Sequence, residues 1–349
     1  MPYTLTVKKT DGKPGQVWYP LQLNTVPQPT PGPGQLLVKI SAVALNHRDL
    51  FIRQHLYPSI SFTHPLLSDG AGVVVALGGQ SPSPRSQSLL HRPVLLTPSR
   101  GWAADPLGPE DAGKFSVIGA SALCPDGTAC EFVVVDEDEV VPMPGHLSPE
   151  EGAALPLVGL TAWRAVVSKS GNAEAGRNIL VTGIGGGVAL VAMQIAVARG
   201  CNVWVTSGEE EKIRRAVEMG ARGGVCYKKK GWERELEGML PEGRRTVRLL
   251  KVGGVIVVYG MTTGPKMDWT MQAVLKNVEV RGTTMGSRRE FGEMVEFVEK
   301  EGIRPVVSRV VRGLDNLEGI EGLFEDMEKG RQFGKLVVLV DKNAEAARL

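Results

Sequence analysis

Apolar and polar positions along the chain fall into two regimes that meet near residue 148. Before it, apolar runs are short: Leu36–Ala42, Gly72–Leu77, Val94–Leu96, Cys130–Val135 and Glu139–Val141. Turns such as Pro125-Asp126-Gly127 separate them. Runs of this length between turn residues predict strands. The lead-in, residues 1–35, carries Pro27, Pro29, Pro31, Pro33, Gly32 and Gly34 and predicts irregular chain before the first strand. Gly78–Pro98 is rich in Ser and Pro and reads as a surface loop. This regime predicts an irregular all-β domain.

After residue 148 the pattern changes. Ser148-Pro149-Glu150-Glu151 is a helix start: Ser as N-cap, Pro at the first helical position, acids in the first turn. Strands then alternate with helices. Asn178–Thr182, Asn202–Thr206, Gly224–Tyr227 and Val255–Gly260 read as strands. Gly187–Arg199, Glu209–Met219 and Trp232–Leu240 read as helices. That alternation predicts an α/β architecture with a doubly wound parallel sheet. A strand at Val278–Thr284, a helix at Arg289–Lys300 and strands at Val306–Val311 and Lys335–Val340 close the chain.

Composition narrows the function classes. The chain has 349 residues, about two domains at ~150 residues each. A net charge of +2 carries no electrostatic signature of a nucleic-acid partner, and aromatics at 5% are too sparse for a base-stacking platform. The four cysteines, Cys124, Cys130, Cys201 and Cys226, form no CxxC pair. They read as reduced thiols of a cytoplasmic protein, with Cys201 and Cys226 as core thiols on predicted strands. Met1-Pro2-Tyr3-Thr4 shows no secretory leader. Asn178–Ala198 is uncharged and long enough to span a bilayer. It holds Gly183, Gly185, Gly186 and Gly187 in its first third, which a strand, a loop and a buried helix explain better than a membrane span.

The strongest local signal is Val181-Thr182-Gly183-Ile184-Gly185-Gly186-Gly187-Val188-Ala189. It follows an apolar strand and opens an apolar helix, the setting of a dinucleotide fingerprint. Glycines let the backbone approach a pyrophosphate, and the helix N-terminus supplies N–H donors and a favourable dipole. Val188 stands in the last Gly position of GxGxxG, and Gly183-xx-Gly186-xx-Ala189 fits a relaxed spacing. The other reading is a structural Gly turn; the flanking strand and helix favour the cofactor. An acidic residue ending the second strand would hold a ribose 2′-hydroxyl. Here the strand ends Val205-Thr206-Ser207-Gly208, with Lys212 one turn on. Hydroxyl plus ammonium suits a 2′-phosphate and favours NADPH (NADP+) over NADH. Glu209-Glu210-Glu211 opposes this unless it points away, and Ser207 also suits an N-cap. Lys228-Lys229-Lys230 reads as a solvated loop.

With these residues in view, the chain resembles a zinc-independent member of the medium-chain dehydrogenase/reductase superfamily, in the quinone-oxidoreductase-like and fungal alcohol-dehydrogenase-like branch. The matching segments are Ala44-Leu45-Asn46-His47-Arg48-Asp49-Leu50, Arg53, Tyr57-Pro58, Ser68-Asp69-Gly70-Ala71-Gly72 and Gly159-Leu160-Thr161-Ala162. The Gly loop, Tyr259-Gly260, Gly282-Thr283-Thr284-Met285-Gly286-Ser287 and Gly334-Lys335-Leu336-Val337 complete the set. The resemblance implies a GroES-like catalytic domain over 1–150, a Rossmann NADP(H)-binding domain over 151–287 and a C-terminal segment, 288–349, completing the catalytic domain. It implies that Asn46, Tyr57 and Thr161 line the nicotinamide pocket, with Tyr57 the candidate donor to a developing enolate or alkoxide. Tyr259 and Met285 are further implied cofactor positions. Asp49 is expected to be structural, bonding local N–H groups or Arg53.

Zinc-dependent relatives carry a metal-ligand Cys where this chain has Asn46, and a His-Glu pair where it has Ser68-Asp69. No Cys lies near Gly159 for a third ligand. Catalytic zinc needs three protein ligands plus an open position, so no catalytic metal is expected. The four-Cys structural lobe is missing too. His47 reads as a hydrogen-bonding or surface residue. The implied activity is NADPH-dependent hydride transfer to a small-molecule quinone, enone or carbonyl by a homodimer without membrane or nucleic-acid partners.

One interval departs from the family. Pro241–Gly254 holds nothing that reads as a buried strand, whereas relatives place a strand, a loop and a helix start there. The Rossmann sheet is therefore expected to lack its fourth strand, which in the order 3-2-1-4-5-6 lies beside strand one. A splice or gene-model difference, a natural isoform and a diverged protein without redox chemistry each account for such a gap. Two rival functions follow: a cofactor-impaired binding protein or truncated isoform, and a non-redox isomerase or cyclase using the same site.

Overall fold

The computed structural model of the chain describes residues 1–239, 249–260 and 269–342. In chain order the first part forms β1 (Tyr3–Val7), β2 (Leu21–Thr25), β3 (Gln35–Ala44), α1 (His47–Arg53), β4 (Asp69–Leu77), α2 (Pro84–Leu89) and β5 (Pro93–Leu96). Next come β6 (Ser99–Arg100), β7 (Ser116–Val117), β8 (Phe132–Asp136), β9 (Val140–Pro142) and α3 (Pro149–Ala153). The middle holds α4 (Pro156–Trp163), β10 (Asn178–Val181), α5 (Gly187–Ala198), β11 (Asn202–Ser207), α6 (Glu210–Glu218), β12 (Gly223–Cys226) and α7 (Trp232–Met239). It continues with β13 (Val255–Val258), α8 (Met271–Leu275) and β14 (Glu279–Gly282). The chain ends with α9 (Arg288–Glu301), β15 (Val307–Arg312), α10 (Leu317–Glu328) and β16 (Lys335–Leu339). Two compact units result, Met1–Leu157 with Ser287–Leu349, and Val158–Gly286.

The first unit is built on a sheet of order β15-β16-β3-β4-β5-β9. Its centre is β3, whose apolar residues Leu36, Val38, Ile40 and Val43 are buried. β4 pairs with it along one edge, from Leu36 to Ala44. Its other edge is shared: β8 pairs with Gln35–Lys39 and β16 with Ala42–Ala44. The C-terminal segment thus enters the N-terminal sheet. Leu323, Phe324 and Val338 pack into one core with β3.

The Ser/Pro-rich stretch corrects the sequence reading. It contains helix α2, N-capped by Ser83, whose hydroxyl accepts the Ser86 N–H, with Pro84 at its start. The same N-cap and Pro logic was legible at Ser148-Pro149, where the structure has a capping box with Glu151.

Segment 101–115 is organised by a carboxylate. Glu110 accepts the N–H groups of Ala104 at 2.6 Å, Ala103 at 2.8 Å and Asp105 at 3.0 Å. Those backbone donors hold its carboxyl down at about 2, against an ordinary 4.5. A folded value below the unfolded one means that the stabilisation is complete above the unfolded value. It is lost as pH falls from there through the folded value. At neutral pH, Glu110→Gln removes the charge from the same cradle. Amide exchange at residues 103–105 is expected to accelerate at least about tenfold while β3 and β4 keep wild-type protection. Unchanged exchange at those three amides would show that the charge does not hold the turn.

In the second unit β10, β11 and β12 form a parallel sheet, Ile179 beside Val203 and Val205 beside Gly224. β13 and β14 form a separate parallel pair, Val255 beside Glu279. Among the described residues, β10 pairs only with β11 and β13 only with β14. The expectation of a missing fourth strand falls largely on residues 240–248, which lie outside the described residues. Helix α5 buries Ala189, Leu190, Ala192, Met193, Ile195 and Ala196, which explains its apolar run. No described helix is long and apolar enough to cross a membrane.

Candidate functional site

The Gly loop lies where the sequence placed it, between β10 and α5. Gly183 has φ +67° and Gly185 +117°, a region that only glycine enters without strain. The loop is tied to the end of β11: Ile184 N–H donates to Thr206 O at 2.8 Å and Gly183 N–H to Thr206 Oγ1 at 3.4 Å. Gly186 is the N-cap of α5, and Val188 is half-buried in its first turn. No atom lies within 4 Å of where a Cβ of Gly183 would sit. The first N–H groups of a 12-residue helix therefore face a glycine cradle with room for an anion.

At the end of β11, Ser207 is buried and its Oγ accepts the Glu209 N–H at 3.2 Å. The three following acids are all turned toward cations. Glu209 pairs with Lys212 at 2.9 Å, Glu210 with Lys229, and Glu211 with Arg214 at 2.5 Å. Lys212, expected to face a 2′-phosphate, is thus held by Glu209. The structure brings forward two residues that the sequence reading passed over. A Cβ on Gly208 would stand 2.9 Å from the Tyr227 hydroxyl and 3.1 Å from Lys228 Nζ. A hydroxyl and an ammonium from the end of β12 therefore crowd the end of β11. The signal in the sequence is their place directly after the third strand, level with Ser207 in a parallel ladder (Ser207 pairs with Cys226). Residues at the ends of these strands fit a dinucleotide carrying a phosphate on its ribose. Nearby, Thr161 is buried, with Oγ1 3.9 Å from Met285 Sδ. Burial raises the Tyr259 phenol above its usual value.

In the first unit, α1 and the start of β4 gather the other residues. Asn46 is the N-cap of α1. Its N–H donates to Asp49 Oδ2 at 2.7 Å, and its Nδ2 donates to Asp69 Oδ2 at 2.9 Å and toward Ser68 Oγ at 3.4 Å. Lys335 Nζ donates to Asn46 Oδ1 at 2.6 Å and to Asp69 Oδ2 at 2.7 Å. Asp69 Oδ1 accepts the Leu157 N–H at 2.8 Å. Asp49 is structural, as expected, but its guanidinium partner is Arg48, at 3.2 Å, and not Arg53. Full burial pushes its carboxyl up to about 6 in spite of Arg48. Arg48 also lies over the Tyr57 ring, 4.8 Å from its centroid, which seats Tyr57 beside α1. His47 has exposed surface yet is crowded, and that desolvation, with the positive charge of Lys335, lowers its pKa. Lys335 is a site residue that the sequence reading used only as a family marker. Its signal is a lysine opening an otherwise apolar strand.

Two family models match the chain. One is described as "Alcohol dehydrogenase GroES-like domain", over residues 32–145, and the other as "Zinc-binding dehydrogenase", over residues 238–338. A zinc-type alcohol dehydrogenase-like protein, YogA, of Leptosphaeria maculans is 53% identical, over 97% of this chain and 99% of that relative. An acryloyl-coenzyme A reductase of Metallosphaera sedula is 27% identical, over 91% and 96%. A crystal structure of an NAD-dependent alcohol dehydrogenase superposes with a TM-score of 0.81 at 30% identity, covering 97% of this chain and all of that one.

The second family description raises the question of zinc, which donor chemistry answers at Asn46. The groups there are an amide, a hydroxyl and one carboxylate, and the carboxylate already holds an ammonium at 2.7 Å. Zinc favours thiolate, imidazole and carboxylate donors, and a resident cation opposes a second one. These residues do not fit a zinc ion. Among the described residues, no three His, Cys, Asp or Glu side chains gather to hold a metal.

Proposed function

The chain belongs to the medium-chain dehydrogenase/reductase family, and from that premise we propose that it is an NADPH-dependent, zinc-independent oxidoreductase. Its acceptor is a quinone, an enone or a carbonyl compound. The observation that carries this reading is the strand–glycine loop–helix unit with Ser207, Tyr227 and Lys228 at the end of the neighbouring strands. When bound, NADPH supplies the hydride. The N–H groups opening α5 bind the pyrophosphate, and the cradle of Gly183, Gly185, Gly186 and Gly187 admits it. Tyr227 and Lys228, with Ser207, hold the 2′-phosphate; Lys212 joins them only by leaving Glu209. Thr161, Met285 and Tyr259 are assigned to the nicotinamide half. Asn46 and Tyr57 hydrogen-bond the acceptor oxygen, and the Tyr57 hydroxyl is the proton donor. Hydrogen bonds aimed at developing charge then do what a metal does elsewhere. The acryloyl-coenzyme A reductase relative supports an acceptor with a conjugated double bond.

The same reading makes the enzyme a homodimer. β14 is paired only by β13 among the described residues, and Val280 lies exposed on it beside exposed Met271, Val274 and Leu275 of α8. One observation favours a rival, a binding protein with impaired cofactor geometry: the ladder of β10–β12 is separate from that of β13–β14.

The test is NADPH oxidation by the purified chain against a panel of quinones, enones and aldehydes, with and without a strong zinc chelator. We expect turnover that needs one of these acceptors and is unchanged by the chelator. Loss of turnover with the chelator would overturn zinc independence. Absence of turnover with every acceptor would leave the binding-protein reading.

A further inference from the structure

Lys335 opens the strand Lys335–Leu339, whose other residues are Leu and Val, and its side chain is 5% exposed. Burying an ammonium costs several kcal/mol unless its partners recover it. A leucine or methionine at this place would carry no such cost. The ammonium is 2.6 Å from Asn46 Oδ1 and 2.7 Å from Asp69 Oδ2, while Asn46 Nδ2 donates to the same Asp69 oxygen at 2.9 Å. Amide, carboxylate and ammonium close a triangle of three contacts.

That triangle admits one orientation of the asparagine amide. Flipped, its NH2 would face the ammonium and its oxygen would face the carboxylate, and both contacts would become repulsive. In the orientation present, one Nδ2 proton is spent on Asp69. The other points toward Ser68, whose Oγ at 3.4 Å is only a weak acceptor. We propose that Lys335 is a positioning residue of this oxidoreductase, a tethered cation that locks the Asn46 amide so that its second Nδ2 proton is presented to the acceptor oxygen. The ammonium stands on the two side chains whose positions correspond to metal ligands in zinc-dependent members of the family. The site is thereby committed to hydrogen-bond chemistry. The catalytic half of this inference rests on the reductase reading; the tethered-cation half stands without it.

The test compares Lys335→Met, Lys335→Ala and Lys335→Arg in the full chain. Lys335→Met is expected to lower kcat at least about tenfold with NADPH affinity changed less than about twofold, because one oriented donor is lost while the cofactor site is untouched. Lys335→Arg is expected to retain more activity than Lys335→Met. Lys335→Ala leaves a vacancy with two acceptors, so n-propylammonium is expected to restore kcat saturably and to raise its Tm. Tetramethylammonium, a cation without N–H donors, is expected to do neither. Wild-type kcat in Lys335→Met would overturn the positioning role. A Lys335→Ala protein whose kcat and Tm both ignore n-propylammonium would overturn the tethered cation. Should the wild-type chain turn over no acceptor, the reductase reading fails by itself, and the Tm of Lys335→Ala with n-propylammonium still decides whether the site is built around a cation.

Discussion

Replacing Arg53 with methionine is expected to cost about 3–5 kcal/mol of folding stability, the range for breaking a buried charged pair from one side. Arg53 ends α1 with no exposed side-chain surface. Its guanidinium makes two parallel bonds to Glu321 of α10, at 2.7 and 2.6 Å, and donates to Tyr19 O at 2.9 Å. It is also sandwiched by rings, 4.2 Å from the Trp18 centroid and 4.6 Å from that of Phe324. One side chain therefore joins the N-terminal lead-in, α1 and the C-terminal helix. Methionine fills the slot but leaves the Tyr19 carbonyl unpaired, at about 1–3 kcal/mol, and forfeits two cation–π contacts of roughly 0.5–2 kcal/mol each. Lysine keeps the charge but not the planar fork and is expected to lose about half as much. Glu321 is 38% exposed, so Glu321→Gln is expected to cost only about 1 kcal/mol. Urea unfolding of the variants measures all three. A loss below about 1 kcal/mol for Arg53→Met would mean that the sandwich is not holding the unit together.

The second large effect is on the cofactor. Lys228→Met is expected to weaken NADPH about 10–100-fold, or roughly 1.4–2.8 kcal/mol, the worth of a charge-assisted bond to phosphate. NADH, without the 2′-phosphate, is expected to change by less than about twofold. Tyr227→Phe removes one hydroxyl donor and is expected to weaken NADPH by about tenfold. Lys212→Met is the internal contrast: its ammonium is held by Glu209 at 2.9 Å, so its loss is expected to matter less than that of Lys228. Titration of each variant with both nucleotides reads the difference. If Lys212→Met weakens NADPH more than Lys228→Met, the phosphate-facing cation has been assigned to the wrong strand end.

Local signals with a single physical cause were legible in the sequence. Ser148-Pro149 announced a helix start, and strand–glycine–helix at 178–198 announced the nucleotide loop, because N-capping and left-handed glycines act within a few residues. The same logic at Ser83-Pro84 was hidden by a composition that otherwise reads as loop. What was not legible depends on pairing across the chain. Lys228 looked like one of three solvated lysines until the parallel ladder set it level with Gly208. Lys335 looked like a strand-opening residue until β16 entered the sheet beside β3 and carried it to Asn46, 289 positions away. Arg53 read as a partner for Asp49, its neighbour in sequence, whereas its carboxylate partner came from α10. The two ladders of the second unit follow the gap that the sequence showed after residue 240, on which no local pattern could decide how the strands re-pair.

The most direct measurement is titration of the purified chain with NADPH and, in parallel, NADH, followed by intrinsic tryptophan fluorescence. The account predicts saturable micromolar binding of NADPH at least about tenfold tighter than NADH, the difference that one charge-assisted phosphate site supplies. A folded chain that binds neither nucleotide, or prefers NADH, would contradict it.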